Sequence, residues 1–194
     1  VELTPEEDLK VGHHGHDHEH HHDHHHEHQH HSLGDVKNII GSLNVSDKVK
    51  EDAQNVYDIL AEAESHVHGT TVTEIHFHEV GTMDAIADVT AVCYLMDKLG
   101  IDKVYASPVH VGSGQVRCAH GILPVPAPAT AHILWGVPIY GGEIKGELCT
   151  PTGAALLKHF VSEFGKMPPM TVDAVGYGMG TKDFPAANCV RAML

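Results

Sequence analysis

The chain has 194 residues, a length that suits one domain or one domain with a smaller companion and allows roughly 70% of the unfolded surface to be buried. Apolar residues at 42% exclude a chain disordered throughout, and aromatics at 5% speak against a platform for stacking bases. Twelve Lys and Arg against 26 Asp and Glu leave a formal charge of -14, the wrong sign for binding a phosphate backbone, so no nucleic-acid partner is expected. No apolar run reaches about 18 residues, so no hydrophobic spanning helix and no membrane partner are expected.

The outlier is histidine, with 21 residues. Residues 1–12 form a short acidic lead, read as the end of a preceding element. Residues 13–31 then hold His13, His14, His16, His18, His20, His21, His22, His24, His25, His26, His28, His30 and His31, interleaved with Gly15, Asp17, Glu19, Asp23, Glu27 and Gln29. Such a segment has nothing to bury, and a disordered, exposed loop is expected. Imidazole suits Ni²⁺, Co²⁺, Cu²⁺ and Zn²⁺, and spacing this irregular describes a buffer rather than one site. The plain alternative is a solvated linker. Cys93, Cys118, Cys149 and Cys189 form no C-x-x-C pair, which excludes a zinc ribbon or thioredoxin motif. Four Cys in a chain of this size do not make a disulfide framework. The acidic and then His-rich opening lacks a signal-peptide pattern, so reduced thiols in a cytoplasmic compartment are expected. Val1 in place of Met, with apolar residues at both ends, reads as an excerpt of a longer chain.

An ordered domain is expected over 32–194. Ser32 with Asp35 three residues on caps a helix carrying Leu33, Val36, Ile39, Ile40 and Leu43 on one face. A second helix runs from Ser46 with Val49, Ala53, Val56, Leu60, Ala63 and Val67 in a stripe, closed by Gly69. A third runs from Thr82 to Leu99 before Gly100, and its apolar positions go nearly all round, which predicts burial. Strands are expected at Lys103–Ala106, Val109–Val111, Val137–Tyr140, Thr171–Val175 and Cys189–Ala192. Pro124-Val125-Pro126-Ala127-Pro128 breaks structure and launches a short helix through Leu134. Thr150 and Pro151 cap and start a helix to about Phe164. The mixture predicts an α+β fold, a layered sandwich of helices and strands.

The densest chemistry lies between Ile75 and Asp88. In an extended segment His76 and His78 face one side while Ile75 and Phe77 face the core. Glu79 follows, and Asp84 and Asp88 share a helix face four residues apart. His76, His78, Glu79, Asp84 and Asp88 together are expected to surround one divalent ion, the imidazole–carboxylate mixture suiting Ni²⁺, Zn²⁺ or Mn²⁺ better than Ca²⁺. Asp84 also complements a helix dipole, its plainer role. A second group pairs Gly112 and Gly114, which let backbone approach a ligand, with Cys118 and His120, a soft ligand pair or a nucleophile and base. Thr150, Thr152 and Gly153 offer amides at a helix start for an anion, or plain capping. Gly176-Tyr177-Gly178-Met179-Gly180-Thr181 could nest a phosphate, but it has no Walker ending.

Taken together, Ala63-Glu64-Ser65-His66-Val67-His68-Gly69, Ile75-His76-Phe77-His78-Glu79-Val80-Gly81, Tyr105-Ala106-Ser107-Pro108, the run Cys118 to Ala129 and Glu147-Leu148-Cys149-Thr150-Pro151-Thr152-Gly153-Ala154 closely resemble the LarC-type nickel-insertion protein family. The match spans most of 33–194, and an internal His-rich insertion is a family feature. The resemblance implies a nickel chelatase of the lyase class that inserts Ni(II) into pyridinium-3,5-bisthiocarboxylic acid mononucleotide and so makes the nickel-pincer cofactor of lactate racemase-type enzymes. It further implies consumption of CTP, assisted by Mn(II) or Mg(II), and a lactate racemase-type apo-enzyme as recipient. It leaves a homo-oligomer open. The family's C-terminal CTP-binding domain is absent from these residues. His76, His78, Glu79, Cys118 and His120 are then the expected catalytic groups, and Gly112, Gly114, Thr150, Thr152 and Gly153 the expected substrate cradle. The rival readings are a nickel store acting through its His tract alone and an unrelated metallohydrolase.

Overall fold

The computed structural model describes residues 31–77, 80–118 and 121–194, so the His tract up to His30, with the disorder expected of it, lies outside the described residues. The first described helix opens on a capping box. Ser32 accepts from the Asp35 amide while Asp35 accepts from the Ser32 amide at 2.9 Å. That box launches α1 (Leu33–Ser42), preceded by the two-residue strand β1 (His31–Ser32). Ser46 caps α2 (Asp47–His68), and Gly69 ends it in the left-handed region at φ 64°.

At 22 residues, and so about 33 Å long, α2 is the axis of the molecule. Its Val49, Ala53, Val56, Leu60 and Ala63 are buried, as the stripe predicted, and Tyr57 and Ala61 beside them are buried too, while Val67 emerges to 40% exposure beyond the core. Against α2 pack α1 through Val36 and Ile40 and α3 (Met83–Leu99) through Ile86, Val89 and Cys93. The α4 helix (Pro128–Ile133) and α5 (Pro151–Phe160) pack on it too, through Ala129 and Ile133 and through Ala154 and Ala155. Each fully buried Leu, Ile or Val contributes about 1.5–3 kcal/mol against exposure, so the helical layer carries the stability.

The strands are short and paired two by two. Antiparallel pairs join β1 to β2 (His76–Phe77), β5 (Gly112–Ser113) to β9 (Gly146–Glu147), and β6 (Gln115–Cys118) to β7 (Gly121–Pro124). Parallel pairs join β3 (Tyr105–Ala106) to β10 (Glu163–Phe164) and β4 (Val109–His110) to β8 (Ile139–Tyr140). An exposed antiparallel hairpin, β11 (Val175–Met179) with β12 (Cys189–Met193), closes the chain. The α+β class expected from sequence holds.

Three local expectations change. The α3 helix is buried on one face only, with Met83, Leu95 and Leu99 more than half exposed. Only one side of α3 meets α2, so apolar residues all round do not amount to burial all round. The strand expected over Thr171–Val175 begins at Val175 and takes in the glycine-rich Gly176–Met179 segment. None of its glycines has a positive φ, so it is a ladder strand and not an amide nest. The α5 helix stops at Phe160 because Glu163 and Phe164 leave it to pair with β3.

Candidate functional site

The segment that carries His76 is fixed from below. Ile75 and Phe77 are buried at 5% and 1%, and His76 between them is exposed, the alternation of an extended strand. Phe77 meets Tyr57 edge to face, with ring centroids 5.8 Å apart. The Tyr57 hydroxyl donates to the Val80 carbonyl at 2.9 Å. Burial, with a contribution from Asp88, holds that hydroxyl above its usual titration range, so it stays a donor. Gly81 turns the chain against Phe77, where an added Cβ would sit 2.6 Å from the Phe77 Cβ. Thr82 then caps α3, accepting from the Ala85 amide at 3.3 Å. Asp84 and Asp88 follow on the exposed face of that helix, one turn apart.

A second element reaches the same corner. In the β1–β2 ladder His31 is opposite Phe77 and Ser32 is opposite His76. The hydrogen bonds from the Ser32 hydroxyl (2.7 Å) and amide hold the Asp35 carboxyl below its usual range, with His31 and His76 close enough to add to the effect. An ionised carboxylate therefore stands beside His31 and His76. Among the described residues no group of three or more His, Cys, Asp or Glu closes around a point that could hold a metal. His76, Asp84 and Asp88 alone do not make such a group. The other two expected ligands, His78 and Glu79, lie outside the described residues, as do His13 to His30.

The glycine and threonine motifs, far apart in sequence, are joined by the fold. Gly112 pairs with Glu147, the Leu148 amide donates to the Val111 carbonyl at 3.1 Å, and the Ser113 hydroxyl donates to the Ile144 carbonyl at 2.8 Å. Two residues past Leu148 the chain enters the cap of α5, where the Gly153 amide donates to the Thr150 hydroxyl at 3.4 Å and Thr152 sits in the first turn. The Gly114 carbonyl accepts from the Val125 amide at 3.0 Å, tying the proline-rich run to the same place. Cys118 ends β6 half-buried, opposite Gly121, and His120 lies outside the described residues. Cys149 is buried, and burial with the nearby Glu147 pushes its thiol up to about 11. It is a protonated core residue at neutral pH.

Two histidine contacts escaped the sequence reading. His110 stacks on Tyr140 with centroids 4.4 Å apart, and its Nε2–H donates to the Gly141 carbonyl at 3.0 Å. His66, near the end of α2, stacks on His132 of α4 with centroids 4.3 Å apart and planes 27° apart. These two rings line a cleft of about 390 Å³ with Glu62, Ser65, Gly69 and Thr70. The one sequence signal for it was the Glu62–His66 spacing of four on a helix. His132 comes from a distant segment, and no local pattern announces that contact.

The family model for nickel insertion proteins matches residues 1–194. The pyridinium-3,5-bisthiocarboxylic acid mononucleotide nickel insertion protein of Desulfitobacterium hafniense (strain DSM 10664 / DCB-2) is 49% identical over 159 residues, covering 82% of this chain and 40% of that protein. The protein of the same name from Geobacillus kaustophilus is 44% identical over 190 residues, covering 97% of this chain and 44% of that protein. That from Staphylococcus saprophyticus is 42% identical over 159 residues. The chain thus spans about two fifths of the length of these relatives. No solved structure matches it.

Proposed function

Since this chain belongs to the nickel insertion protein family, we propose that it is the part of a nickel chelatase that receives Ni(II) and presents it to pyridinium-3,5-bisthiocarboxylic acid mononucleotide. The observation that carries this reading is the 42–49% identity to proteins of that printed name over about four fifths of the chain or more. The nickel ion is a substrate here, passed on to the organic acceptor rather than kept.

Bonding nickel to a ring carbon and to two thiocarboxylate sulfurs requires loss of one ring proton. A base beside the ion serves that step, and His76, His78 and Glu79 are the candidates, with Asp84 and Asp88 as further ligands. His76 is exposed on a segment braced by Phe77, Tyr57 and Gly81, which favours a fixed ligand direction. Gly112 and Gly114 beside the Thr150–Gly153 turn are the candidate cradle for the acceptor's phosphate and carboxylate-like groups, with Cys118 at the end of β6 and His120 as further candidate catalytic groups. CTP with Mn(II) or Mg(II), a lactate racemase-type recipient and a cytoplasmic setting belong to the same reading through the family resemblance. Gly176–Met179 is a strand without positive-φ glycines and offers no phosphate nest for CTP.

The test is formation of nickel-pincer cofactor by the full-length protein. His78→Ala and Asp84→Ala are each expected to abolish insertion while the protein stays folded. If both retain near-normal activity and Cys118→Ala abolishes it, the working metal is at the other cluster. If deletion of residues 13–31 alone removes function at saturating Ni(II), the chain is a store and not an enzyme.

A further inference from the structure

We propose that the Tyr57 hydroxyl is a positioning group for nickel transfer, acting through the Val80 carbonyl to preset the span between β2 and α3. The proposal rests on the nickel-insertion reading and adds to it what fixes the direction of the candidate ligands at the His76 corner. Three observations carry it. First, Tyr57 is fully buried in the middle of α2, and its ring packs edge to face on Phe77 with centroids 5.8 Å apart. Phe would fill that space with no polar atom to satisfy, and a buried hydroxyl costs free energy unless it is bonded. Here it is bonded, donating to the Val80 carbonyl at 2.9 Å.

Second, Val80 lies within the four residues that separate Phe77, the end of β2, from Thr82, the cap of α3. His76 comes just before that span, His78 and Glu79 directly precede Val80 in sequence, and Asp84 is in the first turn of α3. A tie inside the span therefore couples both groups of candidate ligands to the core. Third, the far end of the span has little room. Gly81 is so close to Phe77 that an added Cβ would be 2.6 Å from the Phe77 Cβ and 3.1 Å from its carbonyl oxygen. Asp88 acts on the Tyr57 hydroxyl too, second to burial, so that hydroxyl is also near the acidic face of α3. Ligands held in place before the ion arrives bind without the cost of ordering themselves. A segment that is competent only part of the time binds more weakly by that fraction. Tyr57 is buried beneath the span, so it is a positioning residue and not a catalytic one.

The test is Tyr57→Phe in the full-length protein, assayed for nickel insertion with Ni(II) and the mononucleotide acceptor varied in turn. The ring and its packing stay, and only the tie to Val80 is lost. One neutral hydrogen bond shifts an equilibrium about three- to tenfold, so the KM for Ni(II) is expected to rise by that factor. The KM for the acceptor should stay at the wild-type value, and kcat should change by less than about twofold. Amide exchange over residues 76–84, read by mass spectrometry, should quicken. Gly81→Ala, which disturbs the same span without touching Tyr57, should raise the KM for Ni(II) as well. Ile133→Val is the control, a core change on α4 of similar cost to stability. It should leave both KM values and the exchange of 76–84 unchanged, because a general loss of stability lowers the folded fraction and not the affinity for one reactant. A wild-type KM for Ni(II) in Tyr57→Phe, an equal rise in both KM values, or unaltered exchange overturns the positioning role while the nickel-insertion reading stands. A wild-type protein that forms no nickel product ends that reading and the role with it.

Discussion

Ser32 is paired with His76 across the β1–β2 ladder, so the last histidine of the tract, His31, is fastened next to the first expected ligand of the metal corner. A segment of thirteen histidines attached there is expected to raise the local supply of Ni(II) at that corner without having to define a site itself, an effective-concentration effect. Deleting residues 13–30 is accordingly expected to leave insertion by the full-length protein unchanged at saturating Ni(II) and to reduce it when Ni(II) is limiting. Calorimetry should show several weak sites lost with the deletion. The binding should fade below about pH 6.5, because imidazole must be neutral to ligate. A single tight site, or binding undiminished at pH 5, would refute the buffer.

A different histidine secures the core. His159 of α5 donates from Nε2 to Asp52 Oδ1 of α2 at 2.9 Å, and Lys48 holds Oδ2 at 2.9 Å. Asp52 is only 8% exposed. Burial by itself raises its titration point, but the hydrogen bonds and charges of Lys48 and His159 outweigh burial and bring it below the usual carboxylate range. A carboxyl whose folded pKa is depressed stabilises the protein above its unfolded pKa, about 3.9, and loses that contribution as pH falls through the lower folded value. The wild type should therefore lose stability steeply below about pH 4. Asp52→Asn should cost about 2 kcal/mol at pH 7, the scale of hydrogen bonds to a charged group, and show a shallower acid slope. Urea unfolding at pH 7, 4 and 3 measures both. An identical slope in the two proteins would remove Asp52 from the account.

How far the sequence could be read depended on how local the cause was. Ser32 and Thr150 were legible as caps, and Ser46 and Thr82 as helix starts, because a cap is a relation between residues three apart, and all four accept an amide three residues on. Gly69 and Gly100 were legible as stops for the same reason. The exposed His76 between buried Ile75 and Phe77 followed from alternation. What escaped was set by distant partners. Leu95 and Leu99 are exposed because none of the described residues covers that face of α3, which no periodicity reveals. Gly176–Met179 became a strand because Cys189–Met193 lies alongside it. The meeting of His66 with His132, and of the Gly112 turn with the Thr150 cap, required the fold itself.

The four thiols separate into two classes. Cys189 is exposed and Cys118 half-buried, whereas Cys93 and Cys149 are in the core. Burial, with Asp52 adding, pushes the Cys93 thiol up to about 12, and burial with Glu147 pushes Cys149 up to about 11. Since the thiolate is the reacting species, a thiol reagent at pH 8 should modify Cys189 and Cys118 quickly. Cys93 and Cys149 should react only on unfolding. Mass mapping of the modified peptides decides it, and rapid modification of Cys149 in the folded protein would show that the entrance to α5 opens far more than this packing allows.

Gly112 is the position where backbone approach is tightest. Its φ is +86°, and a Cβ added there would fall on the Gly146 carbonyl oxygen, with the Leu148 amide 3.3 Å away. Gly114 has nearly the same φ, +84°, but its nearest neighbour would be Cδ of the Lys145 side chain at 3.8 Å. Gly165 has neither a positive φ nor an atom within 4 Å. The three glycines thus separate strain from collision. Gly165→Ala should be close to neutral. Gly114→Ala should cost about 1 kcal/mol, the conformational penalty alone. Gly112→Ala should cost more, about 3 kcal/mol, because β5 and β9 must part to admit the methyl group. Parting them also moves Leu148 and the Thr150 cap, so Gly112→Ala should in addition lower insertion activity in the full-length protein under conditions where it is still folded. Thermal unfolding of the three variants gives the ranking. A Gly112→Ala protein as stable as Gly114→Ala would mean that the β5–β9 ladder yields freely and does not hold the two amide-rich turns together.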